Sequence, residues 1–139
     1  MEKEITINFE VIANYDHLTD IEKTLFDKAR TVRAQAYAPY SNFWVGCAVL
    51  LENGEIITGS NQENAAYPSG LCAERVTMFY ANSQYPEVAP VALAIATQTE
   101  GAFLAQPITP CGSCRQVLLE SEERFRHIIE HAQAGYFRI

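Results

Sequence analysis

The chain has 139 residues, of which 48% are hydrophobic and 19% charged, so it fits one folded domain over residues 1–139 and not a disordered chain. Its net charge of −7, without a cluster of lysine or arginine, disfavours nucleic acid as a partner, since that binding depends on neutralising phosphates. No apolar run is long enough to cross a bilayer, and the first residues are polar and acidic. We therefore expect a cytoplasmic protein with no membrane partner, whose four cysteines are ligands or buried groups rather than disulfides.

The first third of the chain predicts a strand, a capped helix and an aromatic loop. Residues 4–12 alternate between apolar and polar side chains, which is the pattern of a strand. Thr19 and Glu22 form a T-x-x-E capping box, so a helix is expected from about residue 20 to residue 36. The segment YAPYSNF follows. Its composition favours a loop that fills the core; the alternative is a pocket wall that includes Phe43.

The middle and the end of the chain predict strands that alternate with helices. Asn53 and Gly54 form the dipeptide that a tight hairpin turn favours, so the flanking segments WVGCAVLL and EIITGS are its two strands. The apolar run PVALAIAT suits a central strand that is covered on both faces. Two further helices are expected, one over residues 71–82 with Cys72 in its first turn, and one from Cys111 to about residue 124.

This order of elements predicts the α/β class, as a three-layer α/β/α sandwich around a mixed β-sheet. Residues 125–139 have an ambiguous pattern: they either continue the last helix or break at Gly135 into a final short strand.

Three cysteines and one glutamate have the order and spacing of a catalytic metal site. Cys111 and Cys114 form a C-x-x-C pair, and Cys72 precedes them with Glu74 two residues further on. Three thiolates hold Zn²⁺ in a tetrahedral frame and leave the fourth corner for water. This order matches the three-cysteine form of the signature already described for zinc-dependent deaminases.

The cysteines have two alternative uses, a redox pair and a structural zinc site. A C-x-x-C pair alone could be a redox pair or half of a structural zinc site. The segment before Cys111 does not have the strand-to-helix opening of a redox motif, and a structural site lacks its fourth ligand. Cys47 lies within an apolar strand and is most simply a small buried residue. The pattern therefore favours a catalytic centre.

The residues beside the ligands suggest how such a centre would work. Glu74 would take a proton from the water on the metal and pass it to the substrate. The resulting hydroxide would attack an amidine-like carbon of the substrate, such as C4 of a cytosine ring. Three thiolates give Zn²⁺ a formal charge of −1, which two helix N-termini and an arginine would partly offset. Arg75 and Arg115 are both candidates for that arginine. We favour Arg75; a surface salt bridge is the alternative for either.

At these residues the sequence resembles cytidine deaminase, the small type that acts on free nucleosides. The resemblance covers residues from about 18 to 124 and rests on YAPYSNFWVG, NQENAAYPSGLCAER and PCGSCRQVLLE. It implies deamination of cytidine and deoxycytidine to uridine and deoxyuridine in pyrimidine salvage, with zinc as the cofactor. It also implies a homotetramer whose pockets borrow residues from neighbouring subunits; a homodimer is the alternative.

The resemblance further implies roles for individual residues. Phe43 lines the base pocket, and Asn61 and Glu63 hold the ribose 3′-hydroxyl. Tyr67 lies in the loop that closes a pocket, and Ala73 belongs to the substrate-binding set. The remaining positions are the zinc ligands Cys72, Cys111 and Cys114, the proton shuttle Glu74 and the sulfur donor Arg75.

The two ends of the chain depart from this family. Residues 1–17 are an N-terminal extension beyond its usual start, and residues 125–139 are an atypical tail. After about residue 127 the chain lacks the pattern of the family's last strand and its closing leucine-proline segment, so the sheet is either complete or short of that strand. Phe137 is a candidate substitute for the terminal aromatic residue. Two other functions remain open: a deaminase of a cytosine nucleoside antibiotic of the blasticidin S type, and a zinc-binding subunit without activity.

Overall fold

The structure is a computed structural model that describes residues 1–4, 10–12, 14–99, 102–103 and 108–125. Three α-helices and four strands organise these residues, with short 3-10 turns at Tyr15–His17, Arg33–Gln35 and Tyr67–Ser69. In chain order the elements are α1 (Asp20–Val32), β1 (Phe43–Leu51), β2 (Ile56–Ser60), α2 (Ala73–Gln84), β3 (Pro90–Thr99), β4 (Ala102–Phe103) and α3 (Gly112–Arg124).

Helix α1 begins at the predicted capping box. The Thr19 side chain accepts a hydrogen bond from the Glu22 N–H at 3.4 Å, and the Glu22 carboxylate accepts one from the Thr19 N–H at 2.7 Å. These reciprocal bonds satisfy two of the N–H groups that the first helical turn leaves without partners. The helix ends at Val32, earlier than predicted, because the chain tightens into the 3-10 turn Arg33–Gln35.

The predicted hairpin is confirmed. Strands β1 and β2 pair antiparallel with Cys47 opposite Gly59 and Leu50 opposite Ile56. The turn between them places Gly54 at a φ of 86°, a left-handed conformation that glycine adopts without a steric penalty. The N–H of Leu51 donates to the Glu55 carbonyl at 2.8 Å and closes the turn.

The four strands form one sheet in the order β2-β1-β3-β4, and helices cover both faces. On one face Leu25 and Ala29 of α1 pack against Ala48 and Ala94. The other face holds a second buried cluster, made of Cys47, Val49, Leu51, Ala73, Met78, Ala81 and Leu93. Neighbouring residues of β1 thus enter opposite cores, as the pleat of a strand requires. The predicted three-layer α/β arrangement is confirmed.

The parallel ladder that the predicted mixed sheet requires is not among the described strands, whose three ladders are all antiparallel. A parallel partner for β3 would have to follow a crossover helix such as α3. The residues after α3, 126–139, lie outside the described part of the chain.

The terminal predictions fall largely outside the described residues. The strand expected over residues 4–12 includes residues 5–9, which are not described; residues 4 and 10–12 are not in a strand. The tail expected to be atypical lies beyond residue 125. The division into an extension, one domain and a tail therefore stays a prediction. None of the helices in the described part of the chain has the length and apolar character that crossing a bilayer requires.

Helix α1 approaches the sheet most closely at Gly46. A Cβ atom at this position would lie 1.9 Å from the carbonyl oxygen of Ala29 and 2.7 Å from the amide nitrogen of Arg33. Both are backbone atoms, which cannot move aside as the end of a side chain can. A glycine here is therefore a packing requirement of the layer that α1 forms with β1.

We expect Gly46→Ala to lower the free energy of unfolding by roughly 1–3 kcal/mol, because the added methyl group overpacks the contact between helix and strand. Urea unfolding followed by circular dichroism would measure the change. Gly112→Ala is the matched control, since a Cβ there would have no neighbouring atom within 4 Å. Equal stability of the two variants would contradict this account of the contact.

Candidate active site and metal centre

The three predicted cysteine ligands meet where two helices begin. Cys72 is the N-cap of α2 and Cys111 is the N-cap of α3, while Cys114 lies in the first turn of α3. The prediction placed Cys72 inside its helix; its extended backbone, with φ −67° and ψ 154°, places it one position before the first turn. The Cys111 sulfur caps its own helix by accepting a hydrogen bond from the Cys114 N–H at 3.4 Å.

The sulfur positions fit a zinc ion. The Sγ atoms of Cys72 and Cys111 are 3.6 Å apart, those of Cys111 and Cys114 are 3.3 Å apart, and all three lie within 4.8 Å of one another. Tetrahedral ligation with Zn–S bonds of about 2.3 Å would separate sulfur atoms by about 3.8 Å. Within the described residues, the only group of this kind consists of these three sulfurs. Zinc therefore fits, with three protein ligands.

The surroundings of the sulfurs differ. Burial opposes the charged thiolate of Cys111, but hydrogen bonds from the Cys114 N–H and from neighbouring thiols outweigh it and lower the pKa of Cys111. Burial raises the pKa of Cys114 strongly, and the nearby carboxylate of Glu74 adds to the effect. A bound divalent cation would reverse the effect at Cys114, since a coordinating thiol loses its proton. Cys114 therefore depends more than Cys111 on a bound metal to lose its proton.

Glu74 lies in the first turn of α2, and only 6% of the residue is exposed to solvent. Burial raises the pKa of its carboxyl, against the opposing effects of its own backbone N–H, Arg75 and Cys114. Its neighbour Ala73 is fully buried in the core cluster beneath the helix. A carboxyl group whose pKa is raised, beside three metal-type sulfurs, is suited to accept and return a proton.

Of the two candidate arginines, Arg75 is the one beside a sulfur. Its Nη2 lies 3.6 Å from the Sγ of Cys72, and this contact raises the pKa of the guanidinium. Arg115 instead donates to the Pro110 carbonyl at 2.9 Å and to the Thr109 hydroxyl at 3.0 Å. The guanidinium of Arg75 therefore adds positive charge next to the thiolates, and Arg115 holds the loop that leads into α3.

Asn61 connects the chain after β2 to the beginning of β1. It is 8% exposed; its Oδ1 accepts from the Val45 N–H and its Nδ2 donates to the Phe43 carbonyl, both at 2.8 Å. The amide keeps a second lone pair and a second N–H for another partner. The next residue, Gln62, bridges to Leu71, so this loop also borders the start of α2.

Glu63 has contacts that the sequence did not predict. Its Oε1 accepts hydrogen bonds from the N–H groups of Tyr40 and Ser41 at 3.0 and 3.1 Å, and its Oε2 accepts from the Ser41 hydroxyl at 2.5 Å. The Ser41 hydroxyl bond is the main reason why the pKa of Glu63 is lowered. No local pattern indicates a contact between residues 22 positions apart.

Two further residues complete the neighbourhood. Tyr67 lies on the 3-10 turn Tyr67–Ser69 and is 91% exposed, so it does not close a pocket of its own chain. Thr77, which the sequence analysis did not identify as important, is fully buried one turn after Ala73. A Cβ atom on Gly59 would lie 2.5 Å from the Thr77 hydroxyl, so glycine in β2 lets α2 lie directly on the sheet.

Comparisons with known proteins agree on one family. The family model described as "Cytidine and deoxycytidylate deaminase zinc-binding region" matches residues 19–129. Cytidine deaminase of Sporosarcina psychrophila is 46% identical over 101 residues, which cover 73% of this chain and 69% of that protein. Cytidine deaminase of Halalkalibacterium halodurans is 43% identical over 96 residues, covering 69% of this chain and 68% of that protein.

A solved structure resembles the fold as well. The crystal structure of cytidine deaminase from Mycobacterium tuberculosis superposes with a TM-score of 0.62 at 40% identity. The aligned part covers 74% of this chain and 78% of that one. The region that the family model matches contains the three cysteines, the glutamate and both loops of the site.

The three sulfurs make a prediction about metal content. We expect the purified protein to contain about one zinc ion per chain, and Cys114→Ala to lose nearly all of it, since two thiolates bind zinc far more weakly than three. Plasma mass spectrometry on the dialysed protein would measure this. Cys47→Ala is the matched control: Cys47 is equally buried, but lies in β1 and not among the ligands. Equal zinc content in both variants would exclude this site.

Proposed function

Since this chain belongs to the cytidine and deoxycytidylate deaminase family, we propose that it hydrolyses cytidine and deoxycytidine to uridine and deoxyuridine with release of ammonia. The observation that carries the proposal is the buried carboxyl of Glu74 beside three clustered thiols. A site that only holds zinc for structural reasons has no use for a buried carboxyl with a raised pKa.

Each step of the reaction has a residue for it. Bound zinc supplies a Lewis acid that makes water a nucleophile at neutral pH. Cys72, Cys111 and Cys114 would hold the metal. Glu74 accepts one proton as the water oxygen bonds to C4 of the ring, and delivers it to N3. It then carries the second proton from oxygen to the amino nitrogen, so that the C4–N bond breaks and ammonia leaves.

Arg75 and the two helix N-termini support the same chemistry electrostatically. Three thiolates give the metal site a formal charge of −1, which weakens a Lewis acid. The positive dipole ends of α2 and α3 and the guanidinium of Arg75 at 3.6 Å from Cys72 offset part of this charge. The chain thereby compensates for a ligand set without neutral histidines.

The nucleoside is recognised by the loops beside α2. We assign Phe43 and Ala73 to the base, and Asn61 and Glu63 to the ribose 3′-hydroxyl. The spare N–H and lone pair of the Asn61 amide support this assignment, because they remain available after its bonds to β1. Polar groups left unpaired would penalise an analogue without that hydroxyl.

We further propose that the chain works as a homotetramer in cytoplasmic pyrimidine salvage. The 91% exposure of Tyr67, next to the site in sequence but turned to solvent, supports a role in a neighbouring subunit's pocket. A reducing compartment suits a centre that needs its three cysteines as thiolates and not as disulfides.

Replacing Glu74 by glutamine tests the proposed reaction. We expect ammonia release from cytidine to fall by roughly 10²–10⁴-fold or more, because glutamine cannot carry a proton, with zinc content unchanged. A coupled ammonia assay and metal analysis would measure both. Wild-type protein that binds zinc but releases no ammonia would indicate a non-catalytic subunit. Turnover of blasticidin S far above that of cytidine would instead indicate an antibiotic deaminase.

Mixing two defective variants tests the shared pocket. We expect Tyr67→Ala to raise the KM for cytidine several-fold, and refolded mixtures with the inactive Glu74→Gln variant to contain pockets with the wild-type KM. In such a mixture, the Glu74→Gln subunit supplies an intact Tyr67 to its neighbour. Light scattering should give about four chain masses. A monomer, or a KM that mixing leaves unchanged, would contradict the proposal.

A further inference from the structure

Beyond the residues assigned so far, the structure points to Ser41. We propose that Ser41 is a positioning residue for the base pocket: its hydroxyl links the carboxylate of Glu63 to the backbone of Phe43 and so fixes the pocket wall before the substrate arrives. This inference rests on the proposed function, because it concerns the same nucleoside site. We call the three residues Ser41, Glu63 and Phe43 the clamp.

The hydroxyl of Ser41 uses its donor and one acceptor position within the clamp. It donates to Oε2 of Glu63 at 2.5 Å and accepts from the N–H of Phe43 at 3.1 Å. The first is in the range of charge-assisted bonds between a hydroxyl and a carboxylate. A hydroxyl that hydrogen-bonds both a carboxylate and a backbone N–H holds these two groups in a fixed relation. An alanine at this position makes neither bond, and a freely exchanging water molecule does not fix the two groups in place.

The carboxylate of Glu63 completes the connection from the other side. Its Oε1 accepts two consecutive backbone N–H groups, those of Tyr40 and Ser41. The loop these groups belong to is a tight turn: the Asn42 N–H donates to the Ala38 carbonyl at 3.1 Å, and Asn42 has a φ of 52°. The carboxylate thus holds a turn whose backbone is left-handed at the residue directly before Phe43.

The clamp lies at the end of β1 that borders the site. Phe43, Val45 and Cys47 alternate along β1 and share one face, and Val45 and Cys47 belong to the core under α2. The Asn61 side chain forms hydrogen bonds with the backbone of Phe43 and Val45. The next residue, Gln62, forms a β-bridge with Leu71, which directly precedes Cys72. The backbone of Phe43, which carries the aromatic ring, is therefore held at its N–H by the clamp and at its carbonyl by Asn61.

This geometry also defines what Glu63 does within its own chain. Three donors occupy its two oxygens, and the pKa of the carboxyl is lowered accordingly. A group in this state is a fixed anion within the fold. Its first contribution to specificity is the shape of the loop, and any contact with a sugar hydroxyl is additional.

Ser41→Ala tests the clamp. We expect the KM for cytidine to rise about tenfold, the order of one lost hydrogen bond, while kcat changes less than about threefold and zinc content stays the same. Ser41→Thr keeps the hydroxyl and should restore the KM. Ser83→Ala, an exposed serine of α2, is the matched control and should behave as wild type. A KM for Ser41→Ala equal to that of Ser83→Ala, or a parallel loss of zinc, would overturn the inference.

Two further measurements distinguish an effect of Ser41 on the pocket wall at Phe43 from an effect on binding of the sugar. If the clamp acts through Phe43, Ser41→Ala should raise the KM by the same factor for 3′-deoxycytidine as for cytidine. In a Phe43→Ala background, the substitution should no longer change the KM. An effect confined to substrates with the 3′-hydroxyl, or one that persists without the ring, would contradict a role through the pocket wall. If Ser41→Ala does not fold, Ser41→Cys, whose thiol is a weaker donor of similar size, replaces it in the same two comparisons.

The test also distinguishes the clamp from the reaction. A wild-type chain that releases no ammonia from cytidine would overturn the proposed function. Calorimetric titration of zinc-loaded wild type and Ser41→Ala with cytidine would still show whether the clamp contributes to binding. We expect a Kd about tenfold weaker for the variant; equal Kd values would overturn it.

Discussion

The whole site depends on the approach of two helix N-termini close enough for their cysteines to share one metal ion. Cys72 and Cys111 occupy the N-cap positions of α2 and α3, and their sulfurs are 3.6 Å apart although the residues are 39 positions apart in the chain. Two positive dipole ends facing each other repel unless negative charge lies between them. The thiolates provide that charge, so the ligands also help to hold the two helices together.

The positions of both helices follow from the sheet below them. Helix α2 lies on β2 at Gly59, where the absence of a side chain lets Thr77 approach the strand. On the opposite face α1 contacts Gly46 backbone to backbone. Because close-packed interiors transmit small shifts, a displacement of either helix would move β1 and, with it, Phe43 at its end. Two glycines without any chemical role thus determine where the reactive groups stand.

Local patterns predicted those parts of the molecule that depend on neighbours in sequence. The hairpin turn, the capping box of α1 and the C-x-x-C pair Cys111 and Cys114 involve residues within a few positions of one another, and the structure contains all three. The proximity of Arg75 to Cys72 is also local, since residues three apart share a helix face. Arg115 follows its nearest cysteine directly, and neighbouring residues on a helix do not face each other.

Contacts between distant segments could not be predicted in this way. The bond between Ser41 and Glu63 joins two loops, and whether a polar residue in a loop meets solvent or a partner is decided by the folded chain. The sheet shows the same limit: an apolar strand such as β3 indicates burial on both faces, but not the direction of its partners. The expectation of a mixed sheet came from the order of the elements alone, and the described ladders are antiparallel.

Two glutamates only eleven positions apart show how surroundings give one residue type opposite tasks. Glu63 receives three hydrogen bonds, which stabilise its charged form and lower its pKa. Burial dominates at Glu74 and raises its pKa despite the nearby Arg75. A carboxylate that keeps its charge can hold a loop in place, whereas one whose charge is costly can take up and release a proton. The balance between hydrogen-bond donors and burial around each carboxyl therefore supports the proposed division of roles, in which Glu63 shapes the pocket and Glu74 moves protons.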